Sequence, residues 1–157
     1  MIATRGLSYD EALRALAERG RFGIRLGLGR IRALLRELGD PQLGMRGALI
    51  GGTNGKGSVL ALTASVLRAA GYRVGETPKP HLVSYRERLQ ISGRPVDPAT
   101  FARLAAEVLP AADRIAARHG EPTEFELLTA MIFRWFAEEH VDVALVEVGL
   151  GGRLDAG

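Results

Sequence analysis

Cysteine is absent from the 157-residue chain, which excludes disulfides and thiolate metal sites. No apolar run is long enough to span a bilayer. The first residues lack the charged-then-apolar layout of a secretory signal. The expectation is a cytoplasmic protein with no membrane partner. Nor is there a basic block: 21 Lys and Arg are scattered among 18 Asp and Glu, for a net charge of +3. Nucleic acid is therefore not an expected partner, whereas a mild positive balance suits small anionic ligands. Internal repeats and low-complexity tracts are also missing. With 46% hydrophobic and 25% charged residues, the chain has the length and composition of one globular domain with a real core.

The most informative stretch is Ala48-Leu49-Ile50-Gly51-Gly52-Thr53-Asn54-Gly55-Lys56-Gly57-Ser58-Val59-Leu60. A short apolar run enters a glycine-rich loop, and a helical pattern follows at once. This is the layout of a phosphate-binding loop between a buried strand and a helix N-terminus. Glycines let the backbone N–H groups turn inward and let phosphate approach. Lys56 supplies a mobile positive charge for the outer phosphates, and Ser58 can serve Mg²⁺ or a phosphate oxygen. The strict pattern G-x-x-x-x-G-K-[ST] is not met. Ile50 stands where its first glycine belongs, and the hydroxyl comes one residue late at Ser58. A glycine-rich turn with an exposed lysine is the alternative reading.

Ser8-Tyr9-Asp10-Glu11 has the form of a capping box, and Ala12, Leu13, Leu16 and Ala17 recur at helical spacing up to Gly20. A second helix is expected over 30–38, and a third over 59–70 with Leu60, Leu62, Val66 and Leu67 as its apolar residues. Residues 72–75 read as a short strand. Pro78 and Pro80 make the segment around Lys79 stiff and extended. Residues 88–92 alternate as a strand, which Gly93-Arg94 turns. Asp97-Pro98 opens a helix running to about Arg118, with a kink or break at Pro110. Thr123-Glu124-Phe125-Glu126 is a second capping box. Residues 141–148 read as a buried strand, followed by the glycine-rich stretch Gly149 to Asp155. Strands alternating with helices predict an α/β fold, a parallel sheet flanked by helices. Glu147, closing an apolar strand in a chain with a phosphate loop, is the candidate Mg²⁺ ligand. A strand-end carboxylate turned to solvent is the alternative.

Gly52 to Ser58 resembles the ATP loop of the Mur ligase superfamily, and its Gly57-Ser58 ending resembles the folylpolyglutamate synthase and dihydrofolate synthase branch. Arg21-Phe22-Gly23, Pro80-His81-Leu82, Tyr85-Arg86-Glu87-Arg88, Thr123 with Phe125-Glu126, and Glu147 to Asp155 occur in that family's order with similar spacing. The resemblance implies a partial P-loop, Mur-ligase-like ATPase domain over 1–157. It implies ATP-driven, ADP-forming addition of L-glutamate to a folate or dihydropteroate through an acyl phosphate. Gly52, Thr53, Asn54, Gly55, Lys56, Gly57 and Ser58 take the nucleotide, and Glu147 takes Mg²⁺. Lys56 and His81 are the candidate catalytic residues, although His81 fits packing or capping equally well. Thr123, Glu124, Phe125, Glu126 and Leu154 line the pteroate side, with pure helix capping as the alternative for Glu126.

Two departures qualify this picture. Lys79 stands where the family usually has a metal-binding serine, and a protonated lysine is a poor metal ligand. Its charge is expected to contact phosphate or to replace part of the metal's role. The family also continues past Asp155 into further strands and a C-terminal glutamate-ligase domain that packs on this one. The chain therefore reads as a fragment inactive alone. The competing readings are a nucleotide- or pteroate-binding module without turnover and another P-loop kinase or GTPase.

Overall fold

A computed structural model of the chain describes residues 6–20 and 27–149. The described residues form an α/β unit built on one sheet. In chain order the elements are α1 (Tyr9–Gly20), α2 (Gly29–Glu37), β1 (Gly47–Ile50), α3 (Lys56–Ala69), β2 (Val74–Thr77), a short 3-10 helix (Tyr85–Arg88), β3 (Gln90–Ile91), β4 (Arg94–Pro95), α4 (Pro98–His119), α5 (Glu124–Glu138) and β5 (Val143–Glu147). The sheet order is β1-β5-β2-β3-β4. β1, β5 and β2 run parallel, and β3 and β4 extend the sheet as an antiparallel hairpin. No helix among the described residues is long and apolar enough to cross a membrane.

Local chemistry explains most helix starts. Ser8 N–H donates to Glu11 Oε2 at 2.7 Å and Ser8 Oγ accepts from Glu11 N–H at 3.3 Å, the reciprocal capping box the sequence suggested. Thr123 and Glu126 close a second box at the start of α5, and the Asp97 carboxylate accepts Thr100 N–H at 2.9 Å at the start of α4. The β3–β4 turn falls on Ser92 (φ 49°) and Gly93 (φ 77°), a pair of positive φ angles that fits a two-residue hairpin loop.

The two faces of the sheet are covered unequally. α4 packs on α1, α2 and α5, and together these helices build the larger core on one side, with Phe101, Leu104, Leu127, Met131 and Phe136 fully enclosed. On the other side, among the described residues, α3 alone meets the sheet, through Leu60 and Ala64 against Ile50, Val74 and Leu145.

Three expectations are corrected. α4 runs unbroken through Pro110, because Val108, Ala111, Ala112 and Ile115 on both sides of the proline are buried against neighbouring helices. Packing there outweighs the roughly 3 kcal/mol penalty of an interior proline. α3 begins at Lys56, three residues early, and its expected apolar residues Leu62 and Val66 are both 69% exposed. A helix touching a sheet along one stripe leaves apolar residues outside that stripe in solvent. The strand expected over 72–75 lies at 74–77, and the one expected over 88–92 shortens to two residues, since a 3-10 helix occupies Tyr85–Arg88.

Gly75 lies on the crowded face: a Cβ there meets the Phe136 ring, with Cε2 at 2.6 Å. Gly75→Ala is therefore expected to destabilise the fold by about 1–3 kcal/mol, the cost of overpacking a dense core. A lower urea midpoint with an unchanged slope checks it.

Candidate functional site

The site forms where three parallel strands end together. Ile50 at the end of β1 pairs in register with Glu147 at the end of β5, and Val146 pairs with Thr77 at the end of β2. Carboxyl ends of parallel strands are the common ligand position in open α/β sheets. The glycine loop leaves β1 here. Gly52 has φ 143° and Gly55, the residue before α3, has φ 79°, both conformations that favour glycine. Gly52, Thr53, Asn54, Gly55, Gly57 and Ser58 are exposed, and Ser58 lies in the first turn of α3. The unpaired N–H groups and dipole of a 14-residue helix point at the loop. Lys56 Nζ donates to the Gly52 carbonyl at 2.9 Å, so its ammonium folds over the loop it serves.

Glu147 is 4% exposed. Its side chain lies on the α3 face of the sheet, by strand alternation with Leu145. The alternative of a glutamate turned to solvent therefore fails. Its Oε2 accepts Lys79 N–H at 3.0 Å, and its own N–H donates to Thr77 Oγ1 at 3.3 Å. Oε1 takes no hydrogen bond among the described residues. Mg²⁺ is commonly held by one or two carboxylates, with phosphate oxygens and waters completing its shell. A single buried carboxylate beside a phosphate loop fits that donor set. No group of three or more potential metal-ligating side chains occurs among the described residues.

Lys79 is the feature that motif reading left unresolved. Its Nζ donates to the Glu147 carbonyl at 2.7 Å and sits 4.2 Å from the centroid of the Phe125 ring. These two contacts bind the segment after β2 both to β5 and to the start of α5. Thr77 and Lys79 act across roughly seventy residues of sequence from Glu147, and no local signal marks such a pairing.

His81 is half-buried. Its ring lies 4.4 Å from that of Tyr85, and its Nδ1 is enclosed without a hydrogen-bond partner. The structure thus places it in a packed aromatic pair, two residues past Lys79. The Tyr85 hydroxyl is pushed up to about 12, mainly by burial and then by its hydrogen bond to Glu124. Thr123 and Glu126 are buried, while Glu124 and Phe125 are half-buried. Glu126 Oε2 accepts Thr123 N–H at 2.7 Å and Arg30 Nε at 3.0 Å, while its Oε1 is buried without a hydrogen-bond partner among the described residues. Its capping alternative is the better supported. Leu154 and the Arg21-Phe22-Gly23 match lie outside the described residues.

No family model matches the chain. A dihydrofolate synthase/folylpolyglutamate synthase of Bacillus subtilis is 38% identical over 151 residues, covering 95% of this chain and 35% of that protein. The solved structure of a Thermotoga maritima folylpolyglutamate synthase superposes with a TM-score of 0.87 at 41% identity, covering 94% of this chain and 34% of that one. A Mycobacterium tuberculosis folylpolyglutamate synthase solved in complex with ADP gives 0.84 at 38%, with the same coverage. The chain thus spans about a third of the length of these relatives.

The loop beyond His81 is tied by one carboxylate. Glu87 accepts the N–H groups of Leu82, Val83 and Ser84 at 2.8, 2.9 and 2.8 Å, holding the Leu82 and Val83 side chains in solvent. These bonds hold Glu87 below its ordinary 4.5, the Leu82 N–H contributing most. A lowered folded pKa means stabilisation that is complete above the ordinary value and lost as pH falls through the folded one. Loop order at 82–84 is therefore expected to persist at and above the ordinary carboxylate value and to be lost only as pH falls below it. Amide chemical shifts of these residues followed through an acid titration check it, with Glu87→Gln showing no such transition.

Proposed function

The chain belongs, over the part that it spans, to the folylpolyglutamate synthase and dihydrofolate synthase family, and on that premise we propose that it carries the ATP-phosphate end of an ADP-forming ligase that joins L-glutamate to a folate or dihydropteroate. The observation that carries the reading is the register of Ile50 with Glu147, which sets a phosphate loop and a buried carboxylate side by side at the ends of two parallel strands.

In this reading the backbone from Gly52 to Ser58 and the N-terminus of α3 enclose the outer phosphates of ATP. Lys56 exchanges its bond to the Gly52 carbonyl for a phosphate oxygen, holding negative charge as the γ-phosphoryl group moves to the folate carboxylate. Glu147, with Ser58 contributing a hydroxyl, holds Mg²⁺, which supplies further charge neutralisation on the phosphates. Thr123, Glu124, Phe125 and Leu154 border the pteroate, and Glu126 maintains that border through its cap and its pair with Arg30. His81 packs on Tyr85 and shapes the approach from the β2 side. The amine of L-glutamate attacks the acyl phosphate, releasing phosphate and leaving an amide. The glutamate site and the rest of the ATP site are assigned to the remaining length of the relatives, which packs on this unit. A cytoplasmic setting suits the substrates.

Lys56→Ala is expected to weaken ATP binding by about 1.5–3 kcal/mol, the range for a hydrogen bond to a charged group. Equal affinities for variant and parent by calorimetry remove the phosphate-loop assignment. Glu147→Gln is expected to weaken binding of ATP with Mg²⁺ more than binding of ATP in EDTA, because only the carboxylate is a hard anionic ligand. Equal losses in both conditions make Glu147 a structural residue.

A further inference from the structure

At the end of the sheet opposite the glycine loop lies a cleft of about 460 Å³, within the size range of small-molecule sites. Its floor is apolar, made by the buried side chains of Ile91, Val96 and Trp135. Its charged wall is nearly balanced. Arg73, the residue before β2, and Glu139, which follows α5, form an ion pair and cancel. Asp97 caps α4: its carboxylate accepts Thr100 N–H at 2.9 Å and offsets the positive end of a 22-residue helix. Hydrogen bonds from the Thr100 hydroxyl and N–H hold Asp97 below the ordinary carboxylate range, so it is an anion committed to that helix. Arg94 remains. It opens the exposed edge strand β4, and its guanidinium makes no hydrogen bond or ion pair among the described residues. One uncompensated positive charge therefore stands over an apolar floor.

We propose that this cleft is a second ligand site, which takes a small aromatic monocarboxylate with its carboxylate on Arg94 and its ring over Ile91, Val96 and the edge of the Trp135 indole. A guanidinium fork matches a carboxylate with two parallel hydrogen bonds, and an aromatic body suits a floor that includes an indole. Ser92, on the same wall, accepts Val74 N–H at 3.3 Å through its hydroxyl oxygen, which leaves the hydroxyl proton for an incoming acceptor. Asp97 and Glu139 set the limit on charge. They repel a second negative group, so a polyphosphate is disfavoured here while a monoanion is accepted. The cleft is also apart from the glycine loop. β2 runs its four residues between the two ends of the sheet, roughly 13 Å of strand. The proposal is independent of the ATP-binding reading.

Trp135 is the single tryptophan of the chain, so its indole N–H gives one cross-peak that reports on the cleft. The test is an NMR titration of the whole chain with 2-naphthoate and with its neutral amide, 2-naphthamide. Naphthoate is expected to shift the Trp135 indole signal and the amide signals of Ser92 and Thr100 saturably. Naphthamide is expected to bind about tenfold or more weakly, as for a lost charge-assisted contact. Arg94→Gln is expected to lower naphthoate affinity to that of the amide, and Arg94→Lys to keep part of the difference. The amide spectrum of each variant reports its fold, and the comparison of acid with amide on the parent needs no variant. Absence of a saturable Trp135 shift overturns the proposal. So do equal affinities for acid and amide, an unchanged naphthoate affinity in Arg94→Gln, and shifts confined to residues 52–58, which place the anion at the glycine loop instead.

Discussion

β5 is hydrogen-bonded to a parallel strand on each side, and everything chemical in this molecule depends on that double register. Pairing with β1 fixes Glu147 opposite Ile50, and pairing with β2 fixes Val146 opposite Thr77. A slip of one residue in either ladder reverses which face each side chain takes. Glu147 then leaves the α3 side, where the glycine loop turns into the helix, and enters the side filled by α5. The register is secured by what lies on the two faces. Leu145 packs with Leu60 and Ala64 of α3, while Ala144 leaves room on the opposite face, where Gly75 admits the Phe136 ring. The site is thus a consequence of the core, and no loop search is needed to assemble it.

The parts legible in the sequence are those whose physics is local. The capping boxes at Ser8–Glu11 and Thr123–Glu126 join residues three apart, so composition and spacing reveal them. The glycine loop is legible for the same reason, since the strand, turn and helix it needs are contiguous. Misreadings fall where distant packing decides. Pro110 suggests a kink or a break, and the break is absent because α4 lies among three helices that hold both of its halves. Leu62 and Val66 have helical spacing, and nothing in that spacing states which side of α3 the sheet will take. Lys79 has the same difficulty in the site. Its neighbours in sequence show a stiff segment, while its partners, Glu147 and Phe125, come from β5 and α5.

Two buried glutamates show why a carboxylate's partners matter more than its burial. Glu126 and Glu147 are 2% and 4% exposed, and both receive a backbone N–H. Glu126 also receives the Arg30 guanidinium at 3.0 Å. A carboxylate already bonded to a cation and to its own helix cap has a structural duty, and breaking that pair leaves an uncompensated buried charge. Glu147 receives no side-chain cation on its carboxylate oxygens among the described residues. The ammonium nearest to it in the hydrogen-bond network is on its main-chain carbonyl. Among the described residues the Glu147 carboxylate is bonded through Oε2 to a backbone N–H, so unlike Glu126 it is not already committed to a side-chain cation.

The same reasoning bears on the order in which charges meet. On the reading proposed above, a triphosphate at the glycine loop would meet the N–H groups and the α3 dipole first, both of which are fixed by the backbone. Lys56 would give up its bond to the Gly52 carbonyl to join them, so its contribution would be realised only once phosphate is present. Lys79 makes different contacts, its ammonium on the Glu147 main-chain carbonyl and against the Phe125 ring. Glu147 itself is placed by the strand ladder opposite Ile50, a constraint that a carboxylate within the glycine loop would lack.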